Sequence, residues 1–283
     1  MNNFFALCTR RIFNRKNFFL TILLFLLISI FLFPIKKFAI IAKHPSSPWI
    51  LPFLLTDTNF LILFMAAVIY FFSNVPFMKR WNCYYLLRSG KEKWIKEQIA
   101  YIVISALVIT GASIILTWVA LFPNVRMECE WGSVIYTLSQ TDAGEMCDLF
   151  WQISAQFISK HSALGAMGLC IVIMILGITF IGMLMFWGSI FLSRIFSIII
   201  AISFVVYTHM ITALGDSMQK KLALISPISW MRIADYDVTR YGYKISPSVP
   251  YVICAYVILI SILMYLVWRK LKKMDLIWNV EEE

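Results

Sequence analysis

The chain alternates long apolar runs with shorter polar ones, and six runs are long enough to span a bilayer. They cover about Asn17–Ile35, Thr58–Met78, Gln98–Phe122, Ser162–Trp187, Ile195–Leu214 and Ser248–Trp268. A hydrocarbon core of about 30 Å takes roughly 20 apolar residues in a helix. None of the six holds an Asp, Glu, Lys or Arg. The pattern predicts an all-α membrane protein, a single polytopic transmembrane domain over residues 1–283.

The polar stretches punctuate these spans. Residues 1–16 mix Phe5, Cys8 and Ile12 with Arg10, Arg11, Arg15 and Lys16, which predicts a helix lying in the membrane interface. A cleavable signal peptide would need a small-residue cleavage site after the apolar run, and none follows. Pro34 with Lys36–Lys37 is expected to end the first span, and Pro123 to stop the third. Residues 36–57 read as a loop broken by Pro45, Pro48 and Pro52, with Ile50–Leu55 dipping toward the interface. Residues 79–97 read as a basic loop with a short amphipathic helix begun at Gly90. Residues 123–161 form the largest polar segment, with a short helix expected near Glu145–Phe157. A second polar loop covers 215–247, and a tail covers 269–283. The fourth span is rich in small residues, Gly177 and Gly182 among them, which let helices approach closely in lipid.

Composition agrees. Apolar residues make up 61% of the chain and charged ones 14%, with a mean hydropathy of +0.80. A soluble domain is nearer half apolar and a quarter charged. The net charge of +10 is not that of a nucleic-acid binder, because the basic residues flank spans instead of forming a separate domain. With six spans both termini share a side. That side carries 15 of the 25 basic residues, in the N-terminal segment, the 79–97 loop, Arg194 and the tail. Basic excess marks the cytoplasmic face. The expected location is the cell membrane, with both termini and the 79–97 loop inside, and 123–161 and 215–247 outside.

The sequence offers no catalytic pattern. GxxxxGK[ST], GxSxG and HExxH are all missing. No covalent chemistry is expected of the chain, nor any metal or cofactor. Ion-coupled carriers keep ionisable groups at membrane depth, and only His209 offers one, beside a packing or interfacial role. The six cysteines show no CxxC spacing. Cys129 and Cys147 share one loop and form a candidate disulfide on an oxidising face, with two free thiols on a solvated cap as the alternative.

Several parts together resemble the membrane subunit of type-2 ABC transporter exporters. These are the N-terminal interfacial segment, the six spans, the basic loop between the second and third, the short link between the fourth and fifth, and the long segment before the sixth. YYLLRSGKEKWIKEQI at 84–99 and SPISWMRI at 226–233 look like segments of small permeases of this family from Gram-positive bacteria. The resemblance covers nearly the whole chain and is mostly topological.

The resemblance implies that residues 79–97 form a coupling element docked on a separate cytoplasmic ATPase, which holds the ATP and Mg. It places Arg88, Gly90, Lys91, Glu92, Lys93, Trp94 and Glu97 at that contact, with Gly90 making the turn, Trp94 filling a partner pocket and the charges setting register. A basic juxtamembrane helix anchored by Trp94 is the plainer reading. Residues 226–247 would be an outer re-entrant segment or an ordinary loop with aromatic belt residues. Further partners implied are a second permease copy or paralogue, membrane lipid and an amphiphilic cargo, such as an antimicrobial or other exported peptide. A membrane sensor or assembly protein and a secondary carrier are the rival readings.

Overall fold

A computed structural model describes residues 15–75, 90–240, 243–244 and 246–273. The expected interfacial helix lies outside these residues, except for Arg15 and Lys16.

The described helices are α1 (Arg15–Ala42), α2 (Leu51–Thr56), α3 (Thr58–Phe72), α4 (Lys91–Leu121), α5 (Gly132–Gln140), α6 (Ala155–Lys160), α7 (Ala163–Phe191), α8 (Arg194–Thr212), α9 (Asp216–Ala223) and α10 (Val249–Lys273). Short 3₁₀ turns occupy Asp142–Cys147, Ser229–Met231 and Ile233–Asp235. The described strands are two residues each, Thr239–Arg240 paired antiparallel with Tyr243–Lys244.

Among the described residues, five helices are long and apolar enough to cross a membrane: α1, α4, α7, α8 and α10. The predicted second span is shorter than expected. Its 15-residue helix α3 rises only about 22 Å at ~1.5 Å per residue. Asp57 separates it from α2 and caps it, its carboxylate accepting from the Phe60 amide at 2.8 Å. α3 ends at Phe72, and Ser73, Asn74 and the buried Val75 follow it as a turn.

The first span runs beyond its predicted end. Pro34 lies inside α1, which continues to Ala42. Proline removes one helical hydrogen bond, yet Pro34 is buried there. Lys36 does not stop the helix either. Its ammonium donates to the carbonyls of Ala120 at 3.3 Å and Phe122 at 2.7 Å. It thereby satisfies carbonyls that the end of α4 leaves open, at the negative end of that helix's dipole.

α7 is the axis of the bundle. In its most apolar stretch 72% of residues are buried, against 17% in α10. It packs against α3, α4, α8 and α10, while α1 lies across α3 and α4. Close approach comes from glycine. A Cβ on Gly182 would lie 2.6 Å from Ile102 Cγ2 of α4 and 3.1 Å from Phe72 Cζ of α3. A Cβ on Gly177 would lie 2.7 Å from Met231 Sδ. Between α7 and α8 only Leu192 and Ser193 remain, and the Ser193 hydroxyl caps α8.

Gly182→Leu is expected to destabilise the bundle by about 1–3 kcal/mol, the range for overfilling a packed interior. Gly168→Leu, where nothing lies within 4 Å of the added Cβ, is expected to cost far less. Thermal unfolding of the two variants in the same detergent checks this; equal midpoints would contradict the packing.

The 123–161 segment is a folded cap, and its helices are not where the sequence places one. α5, the 3₁₀ turn and α6 replace a single helix at 145–157. Indoles anchor the cap. Trp131 Nε1 donates to the His161 carbonyl at 2.8 Å, Trp151 Nε1 to Phe31 of α1 at 3.1 Å, and Trp49 Nε1 to Glu128 at 2.6 Å. Phe53 of α2, Trp131 and Phe157 form an aromatic cluster beneath it, with ring centroids 5.1–6.1 Å apart. The Ile50–Leu55 stretch, expected to dip toward the interface, is buried in this contact. Cys129 and Cys147 do not pair. Cys129 is an exposed free thiol and Cys147 a buried one, held in the 3₁₀ turn of the cap.

Candidate functional site

The helix ends gather polar groups at two opposite poles, and each is a candidate site. One pole holds the starts of α1, α4 and α8 and the ends of α3, α7 and α10. The other holds the reverse ends of these helices, the 123–161 cap and the 226–239 segment.

At the first pole, Gly90 is the N-cap of α4, with φ of +80°. That left-handed backbone favours glycine, and nothing within 4 Å crowds the position. The residues that follow are not a separate short element. Lys91, Glu92, Lys93, Trp94 and Glu97 form the first two turns of the 31-residue α4. Gly90, Glu92 and Lys93 are exposed, and Lys91 and Glu97 are partly so. Arg88 lies outside the described residues.

Trp94 departs from expectation. It is 3% exposed, and its ring meets Phe186 of α7 edge to face at 6.0 Å. In this conformation it faces the chain's own core, so no partner pocket receives it. Ile95 beside it is also buried. The apolar pair that the sequence places amid charges serves to seal α4 onto α7.

Glu92 accepts an ion pair from Lys272 of α10 at 3.3 Å. Lys270 donates to the Ile190 carbonyl at the end of α7 at 2.9 Å and lies over the Phe191 ring at 4.1 Å. Lys272 also lies 3.9 Å from the Trp268 ring centroid. Cations over aromatic rings at helix ends suit a membrane–water boundary. Here they tie the ends of α4, α7 and α10 into one unit.

At the opposite pole, residues 226–236 form a buried segment with no α-helix, only the two short 3₁₀ turns. Trp230 Nε1 donates to the Ala223 carbonyl at 2.6 Å, and the Tyr236 hydroxyl to the Trp230 carbonyl at 2.7 Å. From α10, the Tyr256 hydroxyl donates to the Pro227 carbonyl at 2.5 Å. The Thr208 and Ser226 hydroxyls lie 3.0 Å apart. Irregular backbone survives inside a helical bundle only when its polar groups find partners, and these contacts supply them. Burial, and then the neighbouring Asp235 carboxylate, push the Tyr236 phenol well above its ordinary range, so it stays a neutral donor.

Arg232 and Asp235 pin this segment. Their ion pair is 2.8 Å long, with side chains 11% and 6% exposed. Arg232 Nε also donates to the Thr56 carbonyl at 3.1 Å, and Thr56 Oγ1 accepts from the Ala234 amide at 2.8 Å. Beside this pair is a cavity of about 570 Å³ between the α2–α3 junction, residues 150–156 and residues 232–239. Asp57, Gln152, Gln156, Arg232 and Asp235 give it a hydrogen-bonding lining. The sequence reading missed this site. Its only signal was an i, i+3 charge pair in SPISWMRIAD, and nothing local says that such a pair is buried.

His209, the one ionisable candidate for ion coupling, is exposed near the end of α8. Among the described residues no three His, Cys, Asp or Glu side chains assemble as a metal site. Comparison with protein-family models, with curated proteins and with solved structures gives no match.

Proposed function

We propose that this chain is the membrane subunit of an ATP-driven exporter of the type-2 ABC kind, paired with a second permease copy or paralogue and driven by separate ATPase subunits. One observation supports it above the rest. α4 runs unbroken from an exposed glycine-capped start into the bundle, and the end of its first turn grips the central helix through Trp94 and Phe186. A partner pressing on Gly90, Glu92 and Lys93 would thereby act on α7, which touches most of the bundle. Trp94 then serves as the transmitting contact, one layer behind the docking surface.

In this reading α3 is a sixth crossing. Both termini are cytoplasmic, and the capped pole faces outward at the cell membrane. The charge-free spans suit an amphiphilic cargo such as a peptide, and the outer cavity offers hydrogen bonds to its polar part. ATP and Mg belong to the partner.

Co-purification with candidate ATPases tests the reading. Gly90→Pro and Glu92→Lys/Lys93→Glu are expected to weaken the complex while the chain stays folded. The absence of any ATPase partner would favour a sensor or carrier. Orientation has its own check: a chain keeping Cys129 as its single cysteine is expected to react with an impermeant maleimide on intact cells. Labelling only after permeabilisation would reverse the assignment of sides.

A further inference from the structure

We propose that the notch between the start of α1, the end of α3 and the start of α8 binds the phosphate of an anionic phospholipid headgroup. Two cations converge there on one serine. Lys16 Nζ donates to Ser73 Oγ at 2.8 Å and lies 4.2 Å from the Tyr70 ring centroid. Arg194 Nε donates to the Ser73 carbonyl at 2.7 Å, and its Nη2 donates to Asn74 Oδ1. All of these acceptors are neutral.

The charges themselves are not balanced. No ion pair among the described residues joins either cation to a carboxylate. Arg194 also stands in the first turn of α8, which has no acidic residue. That is the positive end of the helix dipole, where an anion is favoured and a cation is not. The adjoining chain cannot help. Residues 1–14 and 76–89 contain no Asp or Glu and add Arg10, Arg11, Lys79, Arg80 and Arg88. An ammonium has three donors and a guanidinium five, so N–H groups remain on both for phosphate oxygens. Arginine matches phosphate in both shape and charge.

The surroundings select a lipid over a free anion. Phe18 and Phe19 beside Lys16 are 66% and 68% exposed, and Ile195 and Phe196 beside Arg194 are 71% and 59% exposed. Apolar side chains on both flanks of a cation pair suit acyl chains descending from a headgroup. The site does not depend on an ATPase partner.

The full chain, purified in a neutral detergent, is titrated with a fluorescent phosphatidylglycerol. Lys16→Gln/Arg194→Gln is expected to lower its affinity about thirtyfold, since each cation near a membrane surface contributes on the order of a factor of five. Lys16→Arg/Arg194→Lys is expected to keep it within about threefold, as charge is retained. Lys37→Gln at the opposite pole, whose ammonium pairs with Asp148, is expected to change nothing. Thermal unfolding of each variant separates lost binding from lost fold.

Several results would overturn the site: unchanged affinity in the double Gln variant, equal affinity for phosphatidylcholine, or displacement by millimolar inorganic phosphate. So would binding that appears only when the chain is ended at Lys273. That last outcome would assign the notch to the acidic tail, Asp275 and Glu281–Glu283.

Discussion

Arg232→Met is expected to destabilise the protein by about 3–5 kcal/mol, the range for removing one partner of a buried ion pair. The size follows from what remains. Asp235, with a side chain 6% exposed, would be left buried without its guanidinium partner. The Thr56 carbonyl would lose the Nε donor that ties residues 226–236 to α2. The segment also fills the space over Gly177 through Met231, so loosening it opens the capped half of the bundle beside α7. Thermal unfolding in detergent measures the loss. Arg232→Met/Asp235→Leu supplies the control: removing both charges and restoring apolar volume is expected to recover most of the stability. If Arg232→Met unfolds at the wild-type temperature, the pair is not buried as described here.

The same segment shows where sequence reading stops. Residues 226–236 have neither a 3.6 nor a 2.0 period, because their partners lie far off in the chain: Thr56, Thr208 and Tyr256. Burial achieved through distant hydrogen bonds leaves no local pattern. The long apolar helices were legible for the opposite reason, since lipid exposure and core packing both demand apolar side chains in unbroken runs. Their starts were readable within a residue or two where Asp57, Ser162 and Ser193 cap them. Their ends were less so. Pro34 and Lys36 look like stop signals, yet the proline is buried within α1 and the lysine is occupied at the end of α4. The closely packed glycines of α7 were visible as small residues, but which neighbour each admits was not. Trp94 is the sharpest case. An apolar pair among charges is the same stripe whether it seals a helix to its own bundle or to another protein. Only the position of Phe186, 92 residues further along, decides between them.

That choice makes Trp94→Ala the most informative substitution at the α4 end. The residue is 3% exposed against Phe186, and truncating a buried tryptophan commonly costs about 3–5 kcal/mol. The ring lies near the end of its helix, so the lower part of that range is expected. Trp94→Phe keeps an aromatic face toward Phe186 and is expected to lose about 1–2 kcal/mol, as a volume change with partial repacking. Stability and coupling then part company. In the proposed exporter, Gly90, Glu92 and Lys93 form the docking surface, and Trp94 stands behind it. Trp94→Ala should therefore leave ATPase binding within a few fold while abolishing cargo-dependent stimulation of hydrolysis. Phe186→Ala, on the other side of the contact, should reproduce that split, and the double variant should be no worse than either single one, since both delete one interaction. Loss of ATPase binding with unchanged unfolding would mean that the indole reaches outward to a partner, and that α4 and α7 are held together by something else.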